Sequence, residues 1–284
     1  IANTYIGQSS GESTTTGNYN VSMGEGALFS STTASANVAV GYQAGYDNTT
    51  GAGITGVGYL ALANNTTANN NTGVGNYALY LNTTGTENSA IGTQALNSNT
   101  SGSYNTAHGS QSLFSNTTSS YSTAVGYQAG YANTGSTVTF VGFQAGYNNT
   151  GSDNIAYGAD ALFTNTSGGA NTALGRSALR SNTTASNNTA VGFQALYDNV
   201  TGAENTAVGR RSLVNNTVSY NTAVGFNAAY GNTTGAGNAV LGHAALETNT
   251  TGSNNVAIGR SALYSNTTAS NNTVSLDMEI AKSR

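Results

Sequence analysis

The chain contains no cysteine, which excludes a disulfide framework, a thiolate nucleophile and any thiolate-ligated metal centre. Charge is nearly as scarce: Asp, Glu, Lys and Arg make up 6% of the 284 residues, against roughly 25% in an ordinary soluble domain. The net charge of −4 is thinly spread, so neither a basic stripe to neutralise phosphates nor a polybasic patch for a membrane surface is expected. Nucleic acid is therefore not expected as a partner. No run approaches the ~18 to 20 apolar residues of a transmembrane helix, and no charged n-region followed by an h-region opens the chain. Membrane insertion by this segment is not expected. Ile1, not Met, stands first, just before a repeat motif, and the expectation is a processed chain or a piece of a longer one.

Glycine, by contrast, is abundant at 37 residues, and its placement is periodic. Anchors fall at Gly7, Gly24, Gly41, Gly58, Gly75, Gly92, Gly109, Gly126, Gly142, Gly158, Gly175, Gly192, Gly209, Gly225, Gly242 and Gly259, spaced by seventeen residues except for three steps of sixteen. The unit reads N-T-A-V-G-Y-Q-A-L-Y-x-N-T-T-G-S-x, almost unaltered at Asn188 to Tyr197. Asn stands four residues before the anchor in thirteen of the sixteen copies, with Ile54, Ser122 and Val138 as exceptions. Ala or Ser always stands three after it, and Leu four after it in eleven copies, the rest having Gly or Ala. Asn-Thr recurs seven and eight after it, as at Asn82-Thr83 and Asn249-Thr250. In each short step the missing residue falls between that pair and the next motif. A deletion there is tolerated only if the T-G-S segment is an outer turn, because losing a strand residue would flip all later side chains.

Seventeen residues is too short for a helical hairpin repeat, and the richness in Thr, Val, Tyr and Asn favours strand and turn. The expected fold is all-β: a parallel β-solenoid of about 16 coils over residues 1–271, with equivalent residues stacked about 4.8 Å apart in a rod of roughly 75 to 80 Å. Stacking explains the composition. Asn above Asn lets side-chain amides hydrogen-bond from coil to coil, whereas a repeated charge would align like charges at strand spacing. The anchors, among them Gly41, Gly58, Gly75, Gly92, Gly126, Gly175, Gly192, Gly209, Gly242 and Gly259, are expected to mark a bend, a bulge or a close backbone approach. Around the anchor both faces read as apolar, Val191 and Ala195 on one parity and Ala190 and Leu196 on the other. A thin coil buries only one, so the other is expected to be covered by a second copy in a parallel homo-oligomer, most simply a trimer.

The tandem N-x-A-[VI]-G-x-x-A motifs, as in Asn88 to Ala95 and Asn255 to Ala262, resemble the head repeats of trimeric autotransporter adhesins and equally the repeat shafts of phage or bacterial tail-fibre proteins. That resemblance spans residues 2 to about 271. It implies a trimeric, left-handed parallel β-roll on a cell or virion surface, giving reach and attachment to a glycan or protein receptor in an extracellular setting. Within these 284 residues no pattern of a membrane-anchor barrel, heptad stalk or C-terminal intramolecular chaperone is read, which leaves the choice between adhesin and fibre open.

From Thr273 the motif fails. Leu276 takes the anchor position, and Val274, Leu276, Met278 and Ile280 alternate with smaller or polar residues, the pattern of a half-buried strand. Residues 272–284 are expected to be a cap or the beginning of a further segment.

Chemistry-bearing residues are few. His108 and His243 lie about eight coils apart and share no site. The acids Glu12, Glu25, Asp47, Glu87, Asp153, Asp160, Asp198, Glu204 and Glu247 show no calcium-loop spacing. Arg176, Arg180, Arg210 and Arg211 fall at or near outward slots, where copies around an axis could gather an anion or glycan carboxylate. Aromatics recur five places after the anchor, including Tyr46, Tyr80, Tyr131, Tyr197, Tyr230 and Tyr264; they read first as a structural ladder and, where ring faces are open, as a sugar-binding stripe. N-T-T triplets at Asn48, Asn65, Asn82, Asn116, Asn182, Asn232 and Asn266 match the N-glycosylation pattern, but stacked amides would already be engaged. With no nucleophile elbow, phosphate loop, paired acids or metal motif, the expectation is a structural protein with no catalytic, cofactor or metal site. Two alternatives are an ice-binding solenoid using Thr and Asn ladders and, below it, a polysaccharide-active enzyme, whose clustered acids or bases are not found.

Overall fold

The computed structural model describes residues 2–275. It is all-β: seventeen parallel strands of three residues each, wound as about sixteen solenoid turns, with no helix among the described residues. The chain divides into two compact units, 1–153 and 154–284. In the first, strands from Thr4–Ile6 to Thr139–Val141 pair in sequence order, each with the next. In the second, Ile155–Tyr157 to Thr273–Ser275 do the same. The sixteen-residue steps leave the register intact, Thr123 facing Thr139 and Thr206 facing Thr222, so the deletions are absorbed in the turn as the sequence predicts. Pairing also continues past the last intact motif, with Val274 opposite Ala257. The expected alternation from Leu276 onward lies outside the described residues.

Hydrogen bonding between coils extends well beyond the short strands. In the coil of Gly75, the N–H of Gly75 donates to Val57 O and that of Tyr77 to Tyr59 O, both in the preceding coil. The direction then reverses, and Leu79, Leu81 and Thr83 donate to Ala95, Asn97 and Thr100 of the following coil at 2.9–3.0 Å. Nearly the whole circumference thus satisfies its backbone groups axially. Between these contacts the chain reverses through successive tight turns, with Ala78 N donating to Gly75 O and Asn82 N to Leu79 O.

Those turns correct one sequence expectation. The central strand residue is buried, as at Ala190, but so are both Ala195 and Leu196, each fully; Ala195 does not share an outward face with Val191. Two-residue alternation stops at the anchor because the chain there is not a strand. Residues two and four after the anchor take positive φ, 56° at Gln194 and 51° at Leu196, as the third residue of a type II turn does. The αL geometry costs a non-glycine residue roughly 1–2 kcal/mol. At the fourth position burial of the Leu side chain, worth about 1.5–3 kcal/mol, offsets it.

The anchor glycines are held by close approach. A Cβ at Gly75 would lie 2.5 Å from Gly92 O, and one at Gly192 2.6 Å from Gly209 O, with φ of 138° and 131°. Both crowding and φ exclude a side chain. The same relation, each anchor against the next coil's glycine backbone, holds for Gly41, Gly58, Gly92, Gly126, Gly175, Gly209 and Gly242, and Gly259 shares the positive φ at 117°.

Two asparagine ladders complete the interior. Asn65 Nδ2 donates to Asn48 Oδ1 at 2.9 Å and to its own coil's Ala68 O at 3.0 Å, and Asn82 repeats the pattern on Asn65. The asparagine before the strand uses its Oδ1 differently, accepting from a backbone N–H of the next coil, Asn37 N to Asn20 at 3.0 Å and Ile54 N to Asn37 at 2.9 Å. These amides are buried, where a free donor or acceptor would cost about 1–3 kcal/mol.

Candidate binding face

Since the central strand residue points inward, the residues flanking it point out. Thr occupies the first slot at, among others, Thr55, Thr72, Thr106, Thr123, Thr172, Thr189 and Thr206, and the third slot is mostly aliphatic, with departures such as His108 and Tyr157. The third-slot side chains are half-buried or exposed in both units: Met23 is 42% exposed, Ile91 43%, Leu241 52%. A second column begins directly after the anchor and contributes further exposed apolar groups, Tyr42, Tyr59, Tyr127 and Phe143 in the first unit and Phe226 in the second. Each unit therefore carries an apolar stripe on its strand side.

Rings of the second column stack. Tyr42 and Tyr59 lie 5.3 Å apart at 12°, Tyr127 and Phe143 5.7 Å apart at 17°. Tyr59 also meets Tyr77 edge-on at 5.4 Å, and Tyr77 meets Tyr80 at 5.2 Å. Desolvation among these rings, then the charge and hydrogen bond of Tyr59 and the charge of Tyr80, hold the Tyr77 hydroxyl above the ordinary tyrosine range. The sequence reading missed this cluster because Tyr77 stands where Gln is usual.

In the column five residues after the anchor, Tyr46 stacks on Phe29 at 4.9 Å, and Tyr131 lies between Phe114 and Tyr147 at 5.1 Å from each. Faces engaged in this way are closed to a sugar. Tyr230 and Tyr264 are partly open, Tyr264 at 45%, and Tyr197 is capped by the Arg180 guanidinium at 6.0 Å.

No known relative emerges. The chain matches no family model, no curated protein and no solved structure. Its function has to be argued from its own surface.

The remaining candidates sit apart. His108, in the aliphatic column, has Nε2 3.2 Å from Ser89 Oγ; His243 stacks on Phe226 at 5.0 Å. Among the described residues no three His, Asp or Glu side chains converge as a metal site would require. Glu247 accepts from Asn227 Nδ2 at 2.9 Å, and partial burial holds the Asp198 carboxyl above the ordinary range. A shallow cleft in the first unit is lined by Gln8, Glu25, Gln43, Phe29 and Tyr46 and contains one acid, not a pair. The N-T-T asparagines Asn48, Asn65, Asn82, Asn116, Asn182 and Asn232 are fully buried, with Nδ2 donating within the coil or to the neighbouring one, and Asn266 donates to Asn249 and Ala269. In five of these triplets the first Thr gives its hydroxyl proton to the next coil's backbone, at Thr49, Thr66, Thr83, Thr183 and Thr233, as Thr49 does to Thr66 O at 3.0 Å.

Proposed function

We propose that this chain is a structural shaft of an extracellular fibre or adhesin, on a virion or cell surface, that assembles as a parallel homotrimer and serves attachment rather than catalysis. The observation that supports it is the column of outward aliphatic side chains at the third strand slot, such as Val57, Val74, Ile91 and Leu241, which forms the seam and leaves the column after the anchor outside it. Extended apolar surface of this kind is usually an interaction site, and a second copy supplies a stripe of the same length and chemistry to cover it. Parallel association of identical stripes around a closed axis buries all of them equally, and the resemblance to trimeric adhesin heads and tail-fibre shafts favours three. Sedimentation equilibrium is expected to give a trimer and electron microscopy an elongated particle. A monodisperse monomer, or compact particles, would overturn this reading.

One observation favours a second reading. The outward Thr column lies on the strands themselves, and Thr at regular spacing on a sheet is a plausible ice template. The neighbouring column weighs against it, since Val, Ile, Leu, Met, Tyr and His alternate there, and a lattice template needs one repeated shape. Measurable thermal hysteresis would revive the ice-binding reading.

A further inference from the structure

Every Lys and Arg of the chain, seven in all, comes after residue 153, so the first unit has neither. In the second unit three of them fall in the column directly after the anchor, which reads Arg176, Phe193, Arg210, Phe226, His243, Arg260 over six successive coils. The Arg210 guanidinium lies between two rings, 5.8 Å from the centroid of Phe193 and 5.5 Å from that of Phe226, and Phe226 stacks in turn on His243. Arg176, Arg210 and Arg260 are exposed, and none is ion-paired to a carboxylate of the described residues.

We infer that this column is a binding site for a linear acidic polysaccharide, one carrying carboxylates along an extended chain. Rings on both sides of a guanidinium hold it by cation–π attraction and restrict its rotamers. Arg210 remains exposed, and a guanidinium offers its N–H donors in the fork geometry that matches a carboxylate. At strand spacing of about 4.8 Å the three arginines recur at intervals of about 10 and 14 Å, a row suited to a polymer and not to a single small anion. Beside the column, Arg211 donates its Nε to Gln194 Oε1 at 3.1 Å and adds a fourth charge. Single-stranded nucleic acid fits less well: its sequence-tolerant binding needs open ring faces for base stacking, and here those of Phe193 and Phe226 are turned to Arg210 and His243. This inference does not rest on the oligomer proposal, since the column exists within one chain, and the two are compatible because the seam is formed by the third-slot aliphatic residues and not by the column after the anchor.

The test uses the full chain and alginate, a polyuronate, as the probe, with neutral dextran and an oligothymidylate as comparisons, and the oligomeric state of each sample measured alongside. Alginate is expected to bind, dextran not, and affinity to fall as salt rises. R176Q/R210Q/R260Q is expected to lose at least about tenfold in affinity while keeping the far-UV spectrum and oligomeric state of the parent, one lost charge-assisted contact accounting for that factor. R210K, which keeps the charge but loses the planar fork between the rings, is expected to weaken binding more than R176K. The inference is overturned by absence of alginate binding at low salt, by a triple variant that binds like the parent, or by oligothymidylate binding as tightly as alginate.

Discussion

Asn133 stands one coil beyond Asn116, yet its Nδ2 donates to Gly135 O, 2.7 Å away, and leaves Asn116 Oδ1 buried without a partner. The same happens at Asn199, where Asn216 turns to Val218 O at 2.7 Å. In both places the ladder breaks on passing into a coil whose outer turn is one residue short. It resumes between two short coils, Asn149 to Asn133 at 2.8 Å, and on leaving one, Asn232 to Asn216 at 2.8 Å. A single glycine inserted between Asn216 and Asn221 should therefore restore the missing bond and lose none, raising stability by about 1 kcal/mol. The equivalent insertion between Asn133 and Val138 should give no gain, because the mismatch moves to Asn149. Urea unfolding of the two insertions checks this contrast.

Phe140 illustrates a second relation between coils. It occupies a central strand slot that is usually Ala, and its ring fills the space above Gly130 and Gly146, where a Cβ would lie 3.0 and 2.6 Å from it. Those glycines stand where other coils have the inward Leu. Ile54 does the same for Gly45, at 3.3 Å. F140A should cost about 3–5 kcal/mol through the cavity it leaves, and G146L alone should be destabilising by overpacking. The double variant F140A/G146L should be more stable than the sum of the two effects predicts, because it recreates the common pattern. A double-mutant cycle by thermal unfolding measures the coupling.

If self-association covers the aliphatic column, V57D/V74D should disrupt it without unwinding the coil, since both side chains point outward and are half-buried. The expected outcome is a shift toward monomer in sedimentation with an unchanged far-UV spectrum. An unchanged association state would remove the strand side from the interface.

Asp198 provides a pH test. Its carboxyl is held above the ordinary range by partial burial, so the folded chain binds the proton more tightly than the unfolded one. The resulting stability is present below the unfolded pKa and is lost as pH rises through the folded one. D198N should flatten that decline just above the usual carboxylate range and change little at lower pH. Melting temperature as a function of pH, compared with the parent, is the measurement.

Much of the fold is legible in the sequence, for a physical reason. With one repeat per coil, Asn48, Asn65 and Asn82 come to stand in a hydrogen-bonded row, and that row is deducible from period alone. The deletions near Thr134 and Thr217 were equally readable, because a turn can lose a residue without changing strand register. Reasoning by alternation failed at Ala195, since the backbone leaves extended geometry at the anchor and two αL residues set where side chains point. A signal was available: a Gly at the usual Leu position, as at Gly146, calls for a larger neighbour, and Phe140 answers it from the strand of the same coil. The Arg210 sandwich was half legible. The arginines could be placed in outward slots, but the alternation with Phe193 and Phe226 emerges only when the column is read down the second unit.

Because each anchor's carbonyl occupies the room a neighbour's side chain would need, the contact between coils depends on nothing farther away than the adjoining turn. Duplicating or removing a whole seventeen-residue segment within a unit would leave every surviving neighbour with the partner it already prefers. Recombination between copies can thus change reach without redesigning an interior, and ligand-contacting features such as a row of basic side chains can be added to some copies while others stay plain.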